Sequence, residues 1–334
     1  LDRTFRCTLN GQRTPTRTLP GHRWSSSLLF SGIMPHGNIC TEVTPQCPVE
    51  ATTYGYRPNL AGNIVLLVIF GICTIAQLIL GIRSRLRAFT VAVSLGCLGE
   101  AIGYGGRLIM HNNPWSDNGF KIQICCLILS PSFLAAGIYL TLKHLVIYFG
   151  PEMSRIRPAL YTWIFISCDA VSIVAQAAGG GVASAETVAL VNVGDDVMIA
   201  GIAFQVATMF VCLCLAIDFG TQVLKQHGHR AAGRAEVDEA RALPKSFRFY
   251  AICCAVAFLT IFIRCIYRIP EMSGGWGSAA QHNEVEFMVL DGGMVAIAAI
   301  LLTVAHPGIF FPAISSRDSV PRKIHTIPDE KPGA

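Results

Sequence analysis

Charge is what this sequence has least of. Only 14% of its 334 residues are Asp, Glu, Lys or Arg, against 52% in the hydrophobic set, whereas a soluble domain carries about 25% charged residues. So few charges cannot build a polar shell around a core of this size, which excludes soluble enzymes and soluble binding modules. A Gly-rich loop followed by Lys-Ser/Thr is missing, and with it a nucleotide-driven motor of the phosphate-loop kind. No Lys lies within an apolar run, so a retinal-type Schiff base has no amine to form on. Of the histidines only His306 lies inside such a run, too few for converging metal ligands, so neither a metal nor another cofactor is expected. There is no Asn-x-Ser/Thr sequon and no N-glycosylation is expected. The net charge of +5 does not point to nucleic acid, because the basic residues are spread over loops and tails.

What the chain does have is long apolar runs. A bilayer core of about 30 Å takes about 20 apolar residues in a helix, since no backbone polar group can be left unpaired in lipid. Seven runs qualify: Ala61 to Ile82, Ala88 to Met110, Ile122 to Leu142, Ala159 to Gly181, Val197 to Asp218, Phe249 to Ile269 and Phe287 to Phe310. Trp24 to Met34 is too short to span. The expected fold is all-α, an integral membrane bundle of seven transmembrane helices. Residues 1–60 form an N-terminal segment, partly disordered, 61–310 the membrane domain, and 311–334 a disordered tail.

Cytoplasmic loops collect Lys and Arg near span ends. Arg83, Arg85 and Arg87 lie in the first loop, Lys143, Arg155 and Arg157 in the third, and Lys225, Arg230, Arg234, Arg241, Lys245 and Arg248 in the fifth. Arg317, Arg322, Lys323 and Lys331 follow the last span. The alternate loops hold Lys121 with Asp117, Glu186, Asp195, Asp196, Glu271, Glu284 and Glu286. The N-terminus is therefore expected outside and the C-terminus in the cytoplasm. Ten of the 13 Cys sit in apolar runs as small hydrophobes. Cys40 and Cys47 fall on the outer, oxidising side and are candidates for a disulfide. Met34 opens a segment that reads as a natural start, so residues 1–33 are expected to be an extension ahead of it.

A charge at mid-membrane costs about 2.5 to 3.5 kcal/mol on insertion scales, so the few retained there face protein or a wet cavity. Glu100, Tyr104 and Arg107 fall at i, i+4 and i+7 on one face of span two, beside a small-residue stripe of Gly96, Gly99, Gly103 and Gly106 suited to close helix packing. Glu100 and Arg107 are about 10 Å apart along the axis and are expected to pair through Tyr104 or with other helices. Asp169, Ser172 and Gln176 repeat the spacing in span four, and Gln205 lies in span five. Arg107, Arg264 in span six and Asp291 in span seven all fall in the outer third, with Glu100 and Asp169 near the middle, and an ion pair between Asp291 and Arg107 or Arg264 would offset part of the insertion cost. Pro131 should kink span three, with neighbours re-pairing the freed carbonyl. Gly179, Gly180 and Gly181 read as a helix terminus, and His306-Pro307 as a helix stop. The network supports two readings, a packing device or a polar patch that binds an amphiphile headgroup, with a cationic headgroup favouring Glu100, Asp169 and Asp291 and Arg107 as counter-ion.

The strings YRPNLAGN, EAIGYGGR, SPSFLAAGIY, DAVSIVAQAAGGG and GIAFQ follow in order from Tyr56 to Gln205. In that order they resemble the fungal lipid-translocating exporter family, RTA-like seven-span proteins linked to aminocholesterol resistance, sphingoid-base export and protoporphyrin uptake. The resemblance covers about residues 56–310. Its motif residues fall on Glu100, Gly103, Tyr104, Arg107, Pro131, Tyr139, Asp169, Gln176, Gly179, Gly180 and Gln205. It implies a plasma-membrane protein, not an enzyme, that exports an amphiphilic lipid such as a sphingoid base or a sterol-like molecule and so confers resistance to toxic lipids or drugs. Its partners would be the lipid bilayer and a lipid or amphiphilic small molecule. The alternative is a seven-span receptor or sensor of membrane stress. Span three lacks an acidic-Arg-aromatic triplet and span seven an Asn-Pro-x-x-Tyr, which weighs against it.

Overall fold

The computed structural model describes residues 40–84, 86–149, 158–183, 188–231, 245–273 and 281–310. The extension 1–33, Trp24 to Met34, the tail 311–334 and many of the loop arginines lie outside the described residues. Seven helices are long and apolar enough to cross a membrane: α1 (Leu60–Ser84), α2 (Arg87–Asn112), α3 (Asp117–Phe149), α4 (Pro158–Ala183), α5 (Val188–Ala231), α6 (Lys245–Ser273) and α7 (Glu284–Phe310). No strand occurs among the described residues. The protein is an all-α, multi-pass membrane bundle.

Local chemistry sets the helix ends. Asn59 accepts from the Gly62 N–H at 3.0 Å and so caps the start of α1. Asn113, held extended by the following Pro114, stops α2. Ser116 accepts from the Gly119 N–H at the start of α3. The His306-Pro307 pair interrupts α7 after Val304, and a single turn, Pro307–Phe310, follows. Near its start α7 winds as a π-helix over Phe287–Gly293, the stretch that carries Asp291.

Neighbouring helices pack in sequence order and α7 closes the ring on α1, while α3 also touches α6 and α7. The Gly stripe of α2 lets α3 come close: a Cβ on Gly106 would lie 2.9 Å from the backbone of Gln123 and Gly119. Gly103 stands equally tight against Leu127, and Gly99 against Ser130. Large apolar side chains such as Val174, 68% exposed, cover the outer faces, as lipid contact requires. Residues 40–59, clipped by a Cys40–Cys47 disulfide, lie across one end of the bundle, termed the capped end. Trp115 donates to the Cys47 carbonyl and Asn113 to that of Thr41.

Several boundaries differ from the hydropathy reading, those of α4, α5 and α6 with the most consequence. Helix α5 has 44 residues, not the 22 of Val197 to Asp218, and at about 66 Å it projects past a bilayer core at its ends. Helix α6 continues through Pro270 to Ser273, so Glu271, assigned above to a loop, is a buried helix residue. Helix α4 runs past the glycine run to Ala183. Gly179 meets the α5 backbone at Met198 and Gly194, whereas a Cβ on Gly180 would meet nothing within 4 Å. The run is thus a contact point at Gly179, not the helix end.

Candidate functional site

Pro131 has no N–H to give to the carbonyl four residues back, that of Leu127. Arg264 supplies the missing donor, its Nη2 lying 2.5 Å from the Leu127 oxygen, while its Nε donates to Asp291 at 2.8 Å. Arg268, one turn along α6, donates to Glu271 at 2.7 Å and stands 3.6 Å from the same Asp291 oxygen. A proline on α3, two arginines on α6 and an acid on the π-turn of α7 thereby form one connected group. Glu100 of α2 lies in the field of Asp291, Arg264 and Arg268. It is 1% exposed, and among the described residues neither of its carboxylate oxygens closes a hydrogen bond. The Tyr104 hydroxyl one turn on is likewise unpartnered, and a Cβ on Gly292 would lie 2.5 Å from it. Among the described residues the group brings three carboxyls, those of Glu100, Asp291 and Glu271, to two arginines.

A second arginine site lies at the capped end. Arg107 is fully buried. Its Nε donates to Asn63 at 2.9 Å, and its Nη2 to the Tyr56 hydroxyl and to Glu284, each at 3.2 Å. The Phe287 ring stacks against the guanidinium at 4.3 Å. Glu284 also accepts from the Asn59 N–H, which ties the start of α7 to the start of α1. Burial holds the phenols of Tyr54 and Tyr56 above their ordinary range against the lowering influence of Arg107. Both therefore stay neutral at physiological pH, and Tyr54 accepts from Gln123 at 2.9 Å. One cation meets one anion here.

Deeper in the bundle Asp169 of α4 faces Tyr139 of α3, its natural hydrogen-bond partner, although the two do not close a well-aligned hydrogen bond. Gln176 donates to Gln205 at 3.0 Å, and Gln205 to Ser132 at 2.9 Å, linking α4, α5 and α3. Gln176 and Gln205 also line a cleft with Arg264 and Arg268.

The residues singled out from the sequence therefore divide into groups. Glu100, Tyr104, Arg264 and Asp291 converge, and of the two arginines expected at the depth of Asp291 it is Arg264 that pairs with it. Gln176 and Gln205 join each other. Asp169 stands apart with Tyr139. Arg107 is not the counter-ion of Glu100 or Asp291: its partner is Glu284, which belongs to α7 and not to a loop. Arg268, Glu271, Asn63 and Tyr56 escaped the sequence reading. Arg268 and Glu271 continue the i+4, i+7 stripe from Arg264, so the spacing rule used on span two finds both once the helix is carried past Pro270. Among the described residues no group of three or more His, Cys, Asp or Glu could hold a metal.

A ring of seven apolar helices closed around buried acids and arginines defines a multi-pass membrane protein with a charged interior. The chain belongs to the RTA1-like family: the model described as "RTA1 like protein" matches residues 93–314. It is 33% identical over 305 residues, 82% of this chain and 79% of the relative, to the "Sphingoid long-chain base transporter RSB1" of Saccharomyces cerevisiae strain Lalvin EC1118 / Prise de mousse. To the "Probable lipid transporter atnI" of Emericella nidulans it is 25% identical over 287 residues, 79% and 73% of the two chains. To "Protein RTM1" of Saccharomyces cerevisiae it is 26% identical over 233 residues, 70% of each. No solved structure matches the chain.

Proposed function

We propose that this protein is a carrier, not an enzyme, that exports an amphiphilic lipid with a cationic amine across the plasma membrane, a sphingoid long-chain base being the best fit and a sterol-like amine the next. Such export would confer resistance to toxic lipids or drugs. The observation that carries the reading is the unpartnered carboxyl of Glu100: neither oxygen closes a hydrogen bond among the described residues, and so buried a carboxyl is held as an anion only with a cation beside it. An ammonium headgroup supplies that cation. The names of the relatives support the lipid class. In this reading Glu100 and Asp291 receive the amine, Tyr104, Gln176 and Gln205 hydrogen-bond the polar headgroup, Asp169 offers a second acidic station deeper in the bundle, and Arg264 holds Asp291 in place. Arg107 positions α7. Gly99, Gly103 and Gly179 set helix distances.

The N-terminus is assigned to the outside, supported by the basic loops on the opposite side and by the Cys40–Cys47 disulfide at the capped end. In proteoliposomes the protein should accelerate movement of a fluorescent sphingoid base between leaflets. Equal rates with and without protein would sink the proposal.

A further inference from the structure

Glu100 lies near two arginines, yet neither of them binds it. Its charged neighbours are Asp291 of α7 and Arg264 and Arg268 of α6. Tyr104 and Cys97 flank it on α2, with Cys73 of α1 next to Cys97, and Cys126 faces it from α3. Both arginines direct their donors elsewhere: Arg264 binds Asp291 and the Leu127 carbonyl, and Arg268 binds Glu271 and stands beside Asp291. Asp291 and Glu271 therefore match the two guanidinium charges. Among the described residues no donor reaches the Glu100 oxygens, and the group is neutral when Glu100 carries a proton of its own. The packing also restricts which cation can reach it. A Cβ on Gly103 would lie 2.5 Å from Leu127 of α3, and one on Gly292 of α7 would lie 2.5 Å from the Tyr104 hydroxyl. A proton enters such packing without moving a helix, whereas an ammonium needs the helices to part. An acid that is 1% exposed in an apolar interior takes up a proton rather than stand as a bare anion.

We propose that Glu100 is a proton-binding site for which the lipid amine competes, so that the protein exchanges one ammonium for one proton. When the amine arrives, the carboxyl O–H bond breaks, its proton leaves to water, and the carboxylate accepts a hydrogen bond from the ammonium N–H. One positive charge replaces another. On the more acidic side of the membrane protonation of Glu100 expels the amine; on the other side the amine expels the proton. Net movement of the amine runs toward the acidic side, and a membrane potential does not drive the cycle because no net charge crosses. The inference rests on the transport reading for the amine half of the exchange but not for the proton on Glu100.

Two measurements on the full chain test it. In detergent, the infrared spectrum of the wild type should contain a carboxylic-acid C=O band that Glu100→Gln lacks, and saturating sphinganine should remove that band. In proteoliposomes, the flipping of a fluorescent sphingoid base in excess of that in protein-free vesicles should quicken toward an acidic lumen by up to about tenfold per pH unit, the ratio that one-for-one exchange sustains. A potassium diffusion potential at equal pH should leave that rate unchanged, and Glu100→Gln should respond to neither gradient. Spectra without a Glu100-dependent acid band overturn the proton site. A band that persists under saturating base, or a rate that follows the potential and ignores the pH gradient, overturns the exchange. If the wild-type protein fails to flip the base, the transport reading falls, and the infrared band alone decides whether Glu100 holds a proton.

Discussion

Arg107 and Arg264 are both buried arginines in a membrane bundle, but their surroundings differ. Arg107 is enclosed by an amide, a phenol, a carboxylate and an aromatic face, and its charge is matched one to one by Glu284. Arg264 spends one donor on a carbonyl that a proline released and another on Asp291, within a group that leaves Glu100 unmatched. The first site is matched in charge, although its Nη1 closes no hydrogen bond among the described residues. The second has a free valence, the property expected where a ligand enters. The contrast separates a fastening from a candidate transport site although both look alike as isolated charges in an apolar run.

The largest effect is expected at the charge-matched site. Arg107→Ala leaves Glu284 and Asn63 without their partner and should cost about 3 to 5 kcal/mol. The thermal unfolding midpoint in detergent would fall well below wild type, and an unchanged midpoint would mean the site fastens nothing. Arg264→Leu should cost about 3 kcal/mol, at the low end because Arg268 remains beside Asp291. Replacing both partners, Arg264→Leu with Asp291→Leu, should recover most of that and leave a residue of about 1 kcal/mol for the unpaired Leu127 carbonyl. A double variant as weak as the sum of the singles would show that the pair is not an independent unit.

These charges also show how far the sequence could be read. The seven spans follow from hydropathy because lipid leaves the backbone no other choice. Opposite signs at matching depth narrow the partner of Asp291 to Arg107 or Arg264, and packing decides for Arg264. Arg268 and Glu271 were hidden by Pro270, which resembles a helix end, although the helix carries on to Ser273. Glu284 and Asn63 lie within a turn of helix starts, where polar residues look like loop. Tyr54 and Tyr56 come from a segment without periodicity, and nothing local announces that they fold back onto α2. Depth in the bilayer is legible one helix at a time; which faces meet is settled only by packing.

A smaller effect separates two glycines. Gly292→Ala would push a methyl into the Tyr104 hydroxyl and Leu66 at the π-turn and should cost about 1 to 3 kcal/mol. Gly180→Ala meets open space and should stabilise by up to about 1 kcal/mol through helix propensity. Thermal midpoints of the two variants should move in opposite directions. Parallel shifts would show that the π-turn has slack.

The smallest effect on stability is expected where the effect on transport is greatest. Glu100→Gln keeps the shape of the side chain and removes an unpartnered carboxyl from an apolar interior, so the folded protein loses no hydrogen bond that it makes among the described residues. Stability should change by less than about 1 kcal/mol, with a gain as the expected sign. The amine, however, would lose the anion that receives it. A charge-assisted hydrogen bond contributes about 1.5 to 3 kcal/mol, so flipping of the sphingoid base should slow by about ten- to a hundredfold at equal protein. Measuring midpoint and flip rate on the same preparation separates the two roles. If the midpoint collapses together with the rate, Glu100 belongs with Arg107 among the fastenings; if the rate alone falls, the missing charge is the substrate's.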